Sequence, residues 1–322
     1  MEDGHILGAQ IAAGHFLFAV LDGHAGTKAV ERILEWLPEA LKNAAAGKNS
    51  TPLLSAEEIR DVLLAIDARL LAASAAEGDW NDGATALLAL CSSGGARRHL
   101  QLAQVGDSQA ALCGAYGAEA LCPQHRIGDA AEDARLAAVG ARVEEGRLVG
   151  DGCALAVTRS LGDAGVKRAP AGNGGGGGNG GGGCDGGSGS SGGGGSSGGG
   201  SGLIADPDVS EQSLSPAEEL LILGCDGLWD VIGAEDASDV AKKGGKARNG
   251  VWDYAAAAKA LVSEALARKS GDNVSVVVVG LKKPRGQPQG GGAARRKPAP
   301  EQMNVRLGAD GSVLGVALAQ QQ

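Results

Sequence analysis

The chain has 322 residues, of which 43% are hydrophobic and only 2% aromatic, and its formal net charge is −9. That length suits one large domain, whose core must be built mainly from aliphatic side chains. The negative charge argues against nucleic acid as a partner, because phosphate backbones are bound by clusters of Lys and Arg, and no stretch reaches the roughly 20 apolar residues that a membrane span needs.

Apolar runs typical of β-strands occur at residues 16–21, 86–91, 100–105, 110–113, 220–225 and 274–281. Helical periodicity is found at 27–46, 56–70 and 253–269, and the second of these patterns follows a capping box formed by Ser55 and Glu58. The runs at 100–105 and 110–113 flank Gly106-Asp107-Ser108, which predicts a hairpin. Two helices separate the first two strands, so the order predicts an α+β domain with antiparallel sheets and outer helices.

Residues 172–202 are almost wholly Gly, Ser and Asn. Such a run cannot bury apolar surface, so we expect a disordered insertion. It does not match a phosphate-binding P-loop, because no Gly-Lys-Ser/Thr follows it. Residues 180–185 (GGGGCD) match half of a calcium-binding glycine repeat, but no second copy is present, which leaves calcium binding as a minor alternative.

The segment 282–322 is rich in Gly, Pro, Gln and basic residues, which predicts a disordered tail. Its basic clusters at 282–285 and 295–297 leave a nuclear-import signal open as an alternative. The remaining segment 1–281, interrupted by the insertion, has the usual size of one folded domain.

The six cysteines are scattered through the chain, with no Cys-x-x-Cys pair. This pattern is typical of reduced thiols in a cytosolic or nuclear protein rather than of a disulfide framework or a zinc site. Glu2 and Asp3 follow Met1 directly, so we expect no signal peptide. We therefore expect a monomeric cytoplasmic or nuclear protein with no membrane partner.

Aspartates lie at the ends of several predicted strands: Asp22, Asp107 and Asp226 follow one, and Asp272 precedes the last. If those ends converge, two of the charges 4 Å apart repel by about 4 kcal/mol at an effective dielectric near 20. Such a cluster must take up protons or bind cations, and all-oxygen ligands favour Mg²⁺ or Mn²⁺. Aspartate is also a common turn residue, so the pattern alone leaves a purely structural role open for each.

A series of motifs runs along the chain, including FAVLDGHAG at 18–26 and CDGLWDV at 225–231. They resemble motifs of the protein phosphatase 2C family and occur in the family's order: the first is similar to its F-x-V-x-D-G-H-G-G and the second to its S-D-G-L-W-D-V. Further matches are DGATA at 82–86, VGDS at 105–108, LAVTRSLGD at 155–163, DPDV at 206–209 and GDNVSV at 271–276. Because the resemblance covers about residues 1–281, it makes this segment the expected catalytic domain.

The resemblance implies a central antiparallel β-sandwich flanked by α-helices, with a two-metal centre at one end of the sandwich. Position by position, Asp22 would bridge two Mg²⁺ or Mn²⁺ ions, and the backbone carbonyl of Gly23 would bind one of them. Asp226 and Asp272 would bind the other ion.

Other positions carry supporting roles under the same resemblance. Asp107, together with Asp226, corresponds to ligands of a weaker third ion, and Glu2 would act on a metal through water. Asp230 would lie near the centre as support. Arg159 is expected to form a structural ion pair and Trp229 to pack in the core.

The resemblance further implies hydrolysis of phosphoserine and phosphothreonine in phosphoprotein substrates. The ions would activate a bridging water that attacks phosphorus in line, without a phospho-enzyme. His24, whose imidazole titrates near neutral pH, matches the family's candidate general acid for the leaving alkoxide. A lone histidine can also be a packing residue, but its place in Asp-Gly-His favours catalysis, so Asp22 and His24 are the expected catalytic residues.

The start of the chain departs from the family pattern. The family has a strand and a phosphate-binding arginine before its M-E-D segment, which here stands at residues 1–3. Either the sequence is a fragment, or the protein lacks that strand. In this chain we therefore expect the first strand to be missing, a sheet edge to be open, and the substrate phosphate to lack a charge-assisted contact. The alternative function is a catalytically weak or inactive relative that binds partners through the same surface.

Overall fold

The computed structural model describes residues 2–48, 52–92, 98–150, 153–168, 201–246, 252–281 and 316–321. Within them the strands are β1 (Gly4–Ala12), β2 (His15–His24), β3 (Gly83–Ser92), β4 (Arg98–Val105), β5 (Gln109–Gly114), β6 (Gly117–Ala120), β7 (Val143–Glu144), β8 (Arg147–Val149), β9 (Ala154–Leu155), β10 (Leu161–Gly162), β11 (Asp208–Leu214), β12 (Glu218–Gly224), β13 (Val274–Gly280) and β14 (Val316–Gln321). The helices are α1 (Lys28–Ala44), α2 (Ala56–Ala76), α3 (Ala130–Ala138), α4 (Ala164–Arg168), α5 (Asp226–Trp229), α6 (Ala234–Gly244) and α7 (Tyr254–Ala267).

Two antiparallel sheets form the centre of the molecule. The first has the strand order β1-β2-β3-β4-β11, with β10 also paired to β3, and the second has the order β14-β13-β12-β5-β6. The strands β7, β8 and β9 form a smaller sheet. Side chains from both large sheets share one apolar core between them, so the predicted α+β fold with a central antiparallel sandwich is confirmed.

The central strands are apolar on both faces because each large sheet is covered on both sides. Phe18 of β2 shares the core between the sheets with Leu223 of β12 and Val277 of β13. Ala19, the next residue of β2, lies instead in an outer core with Leu37 of α1. Successive side chains of a strand point to opposite faces, so an uninterrupted apolar run is what a strand between two cores requires.

Helices cover the two outer faces of the sandwich. α1 and α2 pack on the first sheet, whereas α6 and α7 pack on the second. α2 begins at the predicted capping box, in which Ser55 and Glu58 each accept a hydrogen bond from the other's backbone N–H. None of the helices in the described residues is both long and apolar enough to cross a bilayer.

The predicted hairpin around Gly106-Asp107-Ser108 is wrong. β4 pairs with β3 and β11 in the first sheet, whereas β5 pairs with β12 and β6 in the second. The three residues therefore cross between the sheets, with Gly106 at φ 105° and its carbonyl accepting a 3.0 Å hydrogen bond from Nε2 of Gln104. Both strands bury side chains on either face, so their pattern fits pairing in either sheet. The crossing places Asp107 at the end of the sandwich.

The glycine-rich insertion is shorter than predicted at its C-terminal end. Ser201 and Gly202 are buried, and the carbonyl of Gly202 accepts a 2.6 Å hydrogen bond from Nη1 of Arg135. Residues 169–200, which include the half-motif for calcium at 180–185, lie outside the described residues. Strands from both sides of the insertion share the same two sheets, because β11 pairs with β4 and β12 pairs with β5.

The prediction of a tail without regular structure is wrong for residues 316–321. This segment forms β14, which pairs antiparallel with β13 from Val274↔Gln321 to Val279↔Val316. The edge of β13 offers a row of N–H and C=O groups that another strand can satisfy, and β14 pairs with it there. One edge of the second sheet is thus covered by the chain's own C-terminal region. The basic clusters at 282–285 and 295–297 lie outside the described residues.

Candidate metal centre

Asp22 and Asp226 meet at one end of the sandwich. Asp22 lies near the C-terminal end of β2, and Asp226 follows β12 as the first residue of α5. Because β1 and β13 run antiparallel to these strands, their N-terminal ends lie at the same end of the sandwich. One ligand atom each of Asp22, Asp226 and Cys225 lie within 4.8 Å of one another.

Three more carboxylates surround this pair, and we call Asp3, Asp22, Asp107, Asp226 and Asp272 together the acidic cluster. Burial, followed by the charges of the other four, raises the pKa of Asp22 to about 9. Burial and neighbouring carboxylates likewise raise the pKa of Asp226 to about 6. The aspartates singled out by the sequence therefore act on one another electrostatically, although they come from distant segments.

The acidic cluster has the donor atoms that a hard cation needs. Among the described residues, the buried Oδ1 atoms of Asp226 and Asp3 have no hydrogen-bond partner. A buried carboxylate oxygen without a partner costs free energy unless a proton or a cation compensates it. Since the cluster offers carboxylate oxygens, it fits Mg²⁺ or Mn²⁺ better than a softer metal.

Asp3 belongs to the acidic cluster although the motifs did not single it out. Its Oδ2 accepts a hydrogen bond from Oγ of Ser275 on β13, and burial raises its pKa above the ordinary value. Its position immediately before β1 was the available signal, because β1 lies beside the strand that carries Asp22.

Cys225 lies beside Asp22 and Asp226. Its thiol donates a hydrogen bond to the carbonyl of Asn273 and accepts one from the N–H of Ser275, both at 3.1 Å. Burial, followed by the charge of Asp22, raises the pKa of this thiol well above its ordinary value. The protonated thiol therefore ties the end of β12 to the start of β13.

Glu2 packs against the chain that follows Asp22. A Cβ on Gly23 would lie 2.3 Å from the carbonyl oxygen of Glu2, so this close approach requires glycine. Oε1 of Glu2 accepts a 2.7 Å hydrogen bond from the backbone N–H of Gly26. These contacts hold the Glu2 carboxylate beside segment 22–26, where its charge acts on His24.

Arg126 places a cation at the edge of the acidic cluster, and no sequence motif pointed to it. Its Nε lies 2.8 Å from Oδ2 of Asp107, its Nη2 lies 3.2 Å from Oδ2 of Asp226, and its Nη1 lies 2.7 Å from Oδ1 of Asp230. Asp230, expected as support, is thus linked to the cluster through this guanidinium.

Asp163 is another residue whose role the motifs did not reveal. Its Oδ1 lies 2.8 Å from Nε2 of His24, and its Oδ2 accepts a hydrogen bond from the hydroxyl of Ser160. The side chain is 3% exposed, and the backbone adopts φ 55°, a region uncommon for non-glycine residues. A Cβ on Gly83 would come within 2.1 Å of the carboxylate, so glycine at that position leaves room for Asp163.

Asp163 also affects the protonation of His24. Burial by itself lowers the pKa of His24, but the charge and the hydrogen bond of Asp163, together with the charges of Glu2 and Asp107, outweigh burial, so the pKa is raised above its ordinary value. A raised pKa keeps more of the imidazole protonated near neutral pH, and the protonated form is the one a general acid needs.

Arg159 forms the structural ion pairs that were predicted for it. Its Nη2 lies 2.6 Å from Oε1 of Glu132, and its Nη1 lies 2.9 Å from Oδ1 of Asp208. Arg135 pairs with Glu132 at 2.7 Å as well. Trp229 is half-buried, packs against the core of the second sheet and donates a hydrogen bond from its indole N–H.

Comparison with known proteins places this chain in a family. The family model described as protein phosphatase 2C matches residues 1–274. A protein kinase and PP2C-like domain-containing protein of Arabidopsis thaliana is 31% identical over 294 residues, which covers 88% of this chain and 37% of that protein. A probable protein phosphatase 2C 22 of the same plant is 30% identical over 284 residues, covering 87% of this chain and 62% of that protein.

Solved structures of other proteins are similar to this chain in fold. A serine-threonine phosphatase 2C from Toxoplasma gondii superimposes with a TM-score of 0.64 at 20% identity and covers 87% of this chain and 90% of that one. A C. elegans sex determining protein gives a TM-score of 0.62 at 20% identity, with 87% and 64% covered. The chain therefore spans less than two thirds of the first curated relatives but most of the Toxoplasma structure.

Proposed function

This chain belongs to the protein phosphatase 2C family, and we propose that it hydrolyses phosphoserine and phosphothreonine on proteins with the help of divalent metal ions. The observation that carries the proposal is the approach of Asp22 and Asp226, within 4.8 Å at the ends of different sheets. Unpartnered carboxylate oxygens in the acidic cluster support cation binding there.

Under this proposal, Asp22 would hold the Mg²⁺ or Mn²⁺ ions together with the carbonyl of Gly23, Asp226 and Asp272, and Glu2 would act on a metal through water. Bound at this position, the ions would activate a water molecule for attack on the substrate phosphorus. Asp107, together with Asp226, would hold a third ion that binds more weakly.

His24 supplies the proton for the leaving group. A seryl or threonyl alkoxide is a poor leaving group, so a general acid must protonate it as the bond to phosphorus breaks. Protonated His24 is suited to this, because Asp163 stabilises the imidazolium and fixes the ring through Nε2. Nδ1 then remains the ring nitrogen that can face a substrate.

Phosphoproteins are the proposed substrates, because the proposed reaction hydrolyses phosphate monoesters of serine and threonine. The monomeric state and a cytoplasmic or nuclear location stay predictions from the sequence.

The test is hydrolysis of a phosphothreonine peptide by the purified chain, with Mn²⁺ and with Mn²⁺ plus chelator. We expect activity that requires the metal and is abolished in Asp22→Asn and Asp226→Asn. Asp239→Asn, which changes an exposed aspartate of α6, should keep full activity. Activity that persists with chelator or in Asp22→Asn would contradict the proposal, as would the absence of any metal-dependent hydrolysis.

A further inference from the structure

The guanidinium of Arg126 lies between three carboxylates and binds each through a different nitrogen. Nε contacts Asp107, Nη2 contacts Asp226 and Nη1 contacts Asp230, at 2.8, 3.2 and 2.7 Å. A guanidinium has five N–H donors in a fixed plane and suits such multiple carboxylate contacts. Because the Asp107 side chain is only 4% exposed, this cation reaches well below the surface.

The segment that carries Arg126 is held firmly against the 106–107 crossing. The N–H of His125 donates to the carbonyl of Gly106 at 3.0 Å, and the N–H of Gly106 donates to Nδ1 of His125 at 3.0 Å. Nε2 of Gln124 donates to the carbonyl of Asp107, also at 3.0 Å. The backbone at Arg126 is therefore fixed relative to Asp107, one of the three carboxylates that its side chain binds.

His125 anchors this segment through both of its ring nitrogens. Burial, followed by the charge of Arg159, lowers its pKa, so the imidazole is neutral near pH 7. Since Nδ1 accepts the hydrogen bond from Gly106, the proton resides on Nε2, which donates to Oδ2 of Asp208 at 3.1 Å. The ring thus links the crossing to the start of β11.

From this arrangement we infer that Arg126 is the resident cation at the outer side of the acidic cluster and that it competes there with a divalent ion. The inference rests on the proposed function in one respect, namely that Asp107 and Asp226 are metal ligands. An additional ion at Asp107, Asp226 and Asp230 must displace the guanidinium, because the ion and the guanidinium need the same oxygens. Unit like charges 4 Å apart repel by about 4 kcal/mol at an effective dielectric near 20, so both cations do not share the position.

The competition has a functional consequence. The guanidinium offsets part of the negative charge while leaving Asp22, Asp272 and the unpartnered Oδ1 of Asp226 to the main pair of ions, here called the inner ions. The protein should therefore bind the inner ions much more tightly than the additional ion at Asp107, Asp226 and Asp230. Arg126 causes this difference in affinity by competing with the additional ion only.

The test is Mn²⁺ binding, measured by calorimetry and by the electron paramagnetic resonance signal of free Mn²⁺, on the full chain after chelator treatment. We expect Arg126→Gln to bind one more Mn²⁺ than the wild type, or to bind its weakest ion about tenfold tighter or more. In the double variant with Asp230→Asn this gain should disappear. Arg268→Gln, which removes an exposed arginine paired with Asp236 and Glu264, serves as the matched control and should bind Mn²⁺ as the wild type does.

Unchanged Mn²⁺ number and affinity in Arg126→Gln would overturn the inference, as would a gain that persists in the double variant. If Arg126→Gln fails to fold, Arg126→Lys takes its place, because it keeps the charge but loses the three-way contact. It should bind the weakest ion about threefold tighter or more, and unchanged binding would overturn the inference. Peptide hydrolysis is measured separately, so a chain without phosphatase activity rejects the proposed function while the Mn²⁺ titration still decides the role of Arg126.

Discussion

Nε2 of His24 lies 2.8 Å from Oδ1 of Asp163, although the two residues are 139 positions apart in the chain. Asp163 is itself fixed, because the hydroxyl of Ser160 donates to its Oδ2 and its backbone N–H donates to the carbonyl of Asp82 at 3.1 Å. A buried and anchored carboxylate thereby sets both the orientation and the charge of the imidazole, which makes Asp163 a positioning residue for His24.

Replacing Asp163 with Asn should impair the proton transfer assigned to His24. We expect kcat to fall about 10- to 100-fold, because loss of Asp163 weakens but does not remove the roughly 10²- to 10⁴-fold contribution that general acid catalysis makes. Asp163 raises the pKa of His24, so in Asp163→Asn the loss of activity on the alkaline side should begin at lower pH. The measurement is the pH profile of kcat for a phosphothreonine peptide, with Asp79→Asn as an exposed control. An unchanged profile would show that Asp163 does not act through His24.

Metal-free protein should lose stability as the pH rises. The pKa of Asp22 is about 9 in the folded protein against an ordinary value of 3.8, so the folded state keeps a proton that the unfolded state releases. Its contribution is complete below about pH 4 and is lost as the pH approaches about 9. Thermal unfolding with chelator should therefore show a Tm that decreases across this window.

Mn²⁺ should reverse that pH trend, because an ion replaces the proton and gains affinity as the carboxylates ionise. The stabilisation by Mn²⁺ should be largest at the alkaline end of the window. Asp22→Asn should flatten the pH dependence without metal. A metal-free Tm that rises between about pH 5 and about pH 9 would contradict the expected charge state of Asp22.

Glu132 should stabilise the fold at neutral pH and lose this effect in acid. Although burial by itself raises its pKa, hydrogen bonds from Arg159, Arg135 and Thr158 lower the pKa to about 2. Its contribution is present above about pH 4.5 and is lost as the pH falls toward about 2. Glu132→Gln breaks a buried ion pair and should cost about 3 kcal/mol at pH 7.

Urea unfolding at neutral and acid pH measures this effect. The difference in the free energy of unfolding between Glu132→Gln and the wild type should be smaller in acid. Glu119→Gln, at an exposed position of β6, is the matched control and should leave stability unchanged. A penalty for Glu132→Gln that stays the same at both pH values would point to lost packing rather than lost charge.

Removing β14 should destabilise the second sheet. A chain that ends at residue 315 loses the pairing with β13 and the 2.8 Å hydrogen bond from Gln320 to Ser275. A loss of about 2 kcal/mol would lower Tm by roughly 4–8 °C in a domain of this size. The exposed edge of β13 should also promote self-association, which light scattering detects. Gln320→Ala removes only the side-chain contact and should have a much smaller effect, whereas an unchanged Tm in the truncated chain would contradict a stabilising role for β14.

Local patterns were enough to predict most elements of the sandwich. The apolar run at 220–225 corresponds closely to β12 at Glu218–Gly224, and the capping box at Ser55 marks the start of α2 at Ala56. These features depend on residues a few positions apart, so they are readable along the chain. The sequence by itself also determined which carboxylates end the strands, and hence which residues to examine for a metal centre.

Only the tertiary structure decided how those elements are partnered. β4 and β5 enter different sheets, although a short turn sequence separates them, because strands that bury side chains on both faces fit pairing in either sheet. Likewise, Arg126 meets Asp226 100 positions further along the chain, and His24 meets Asp163 across a still longer separation. Such contacts arise from how the two sheets pack, and this packing depends on the whole core rather than on the residues that flank each site.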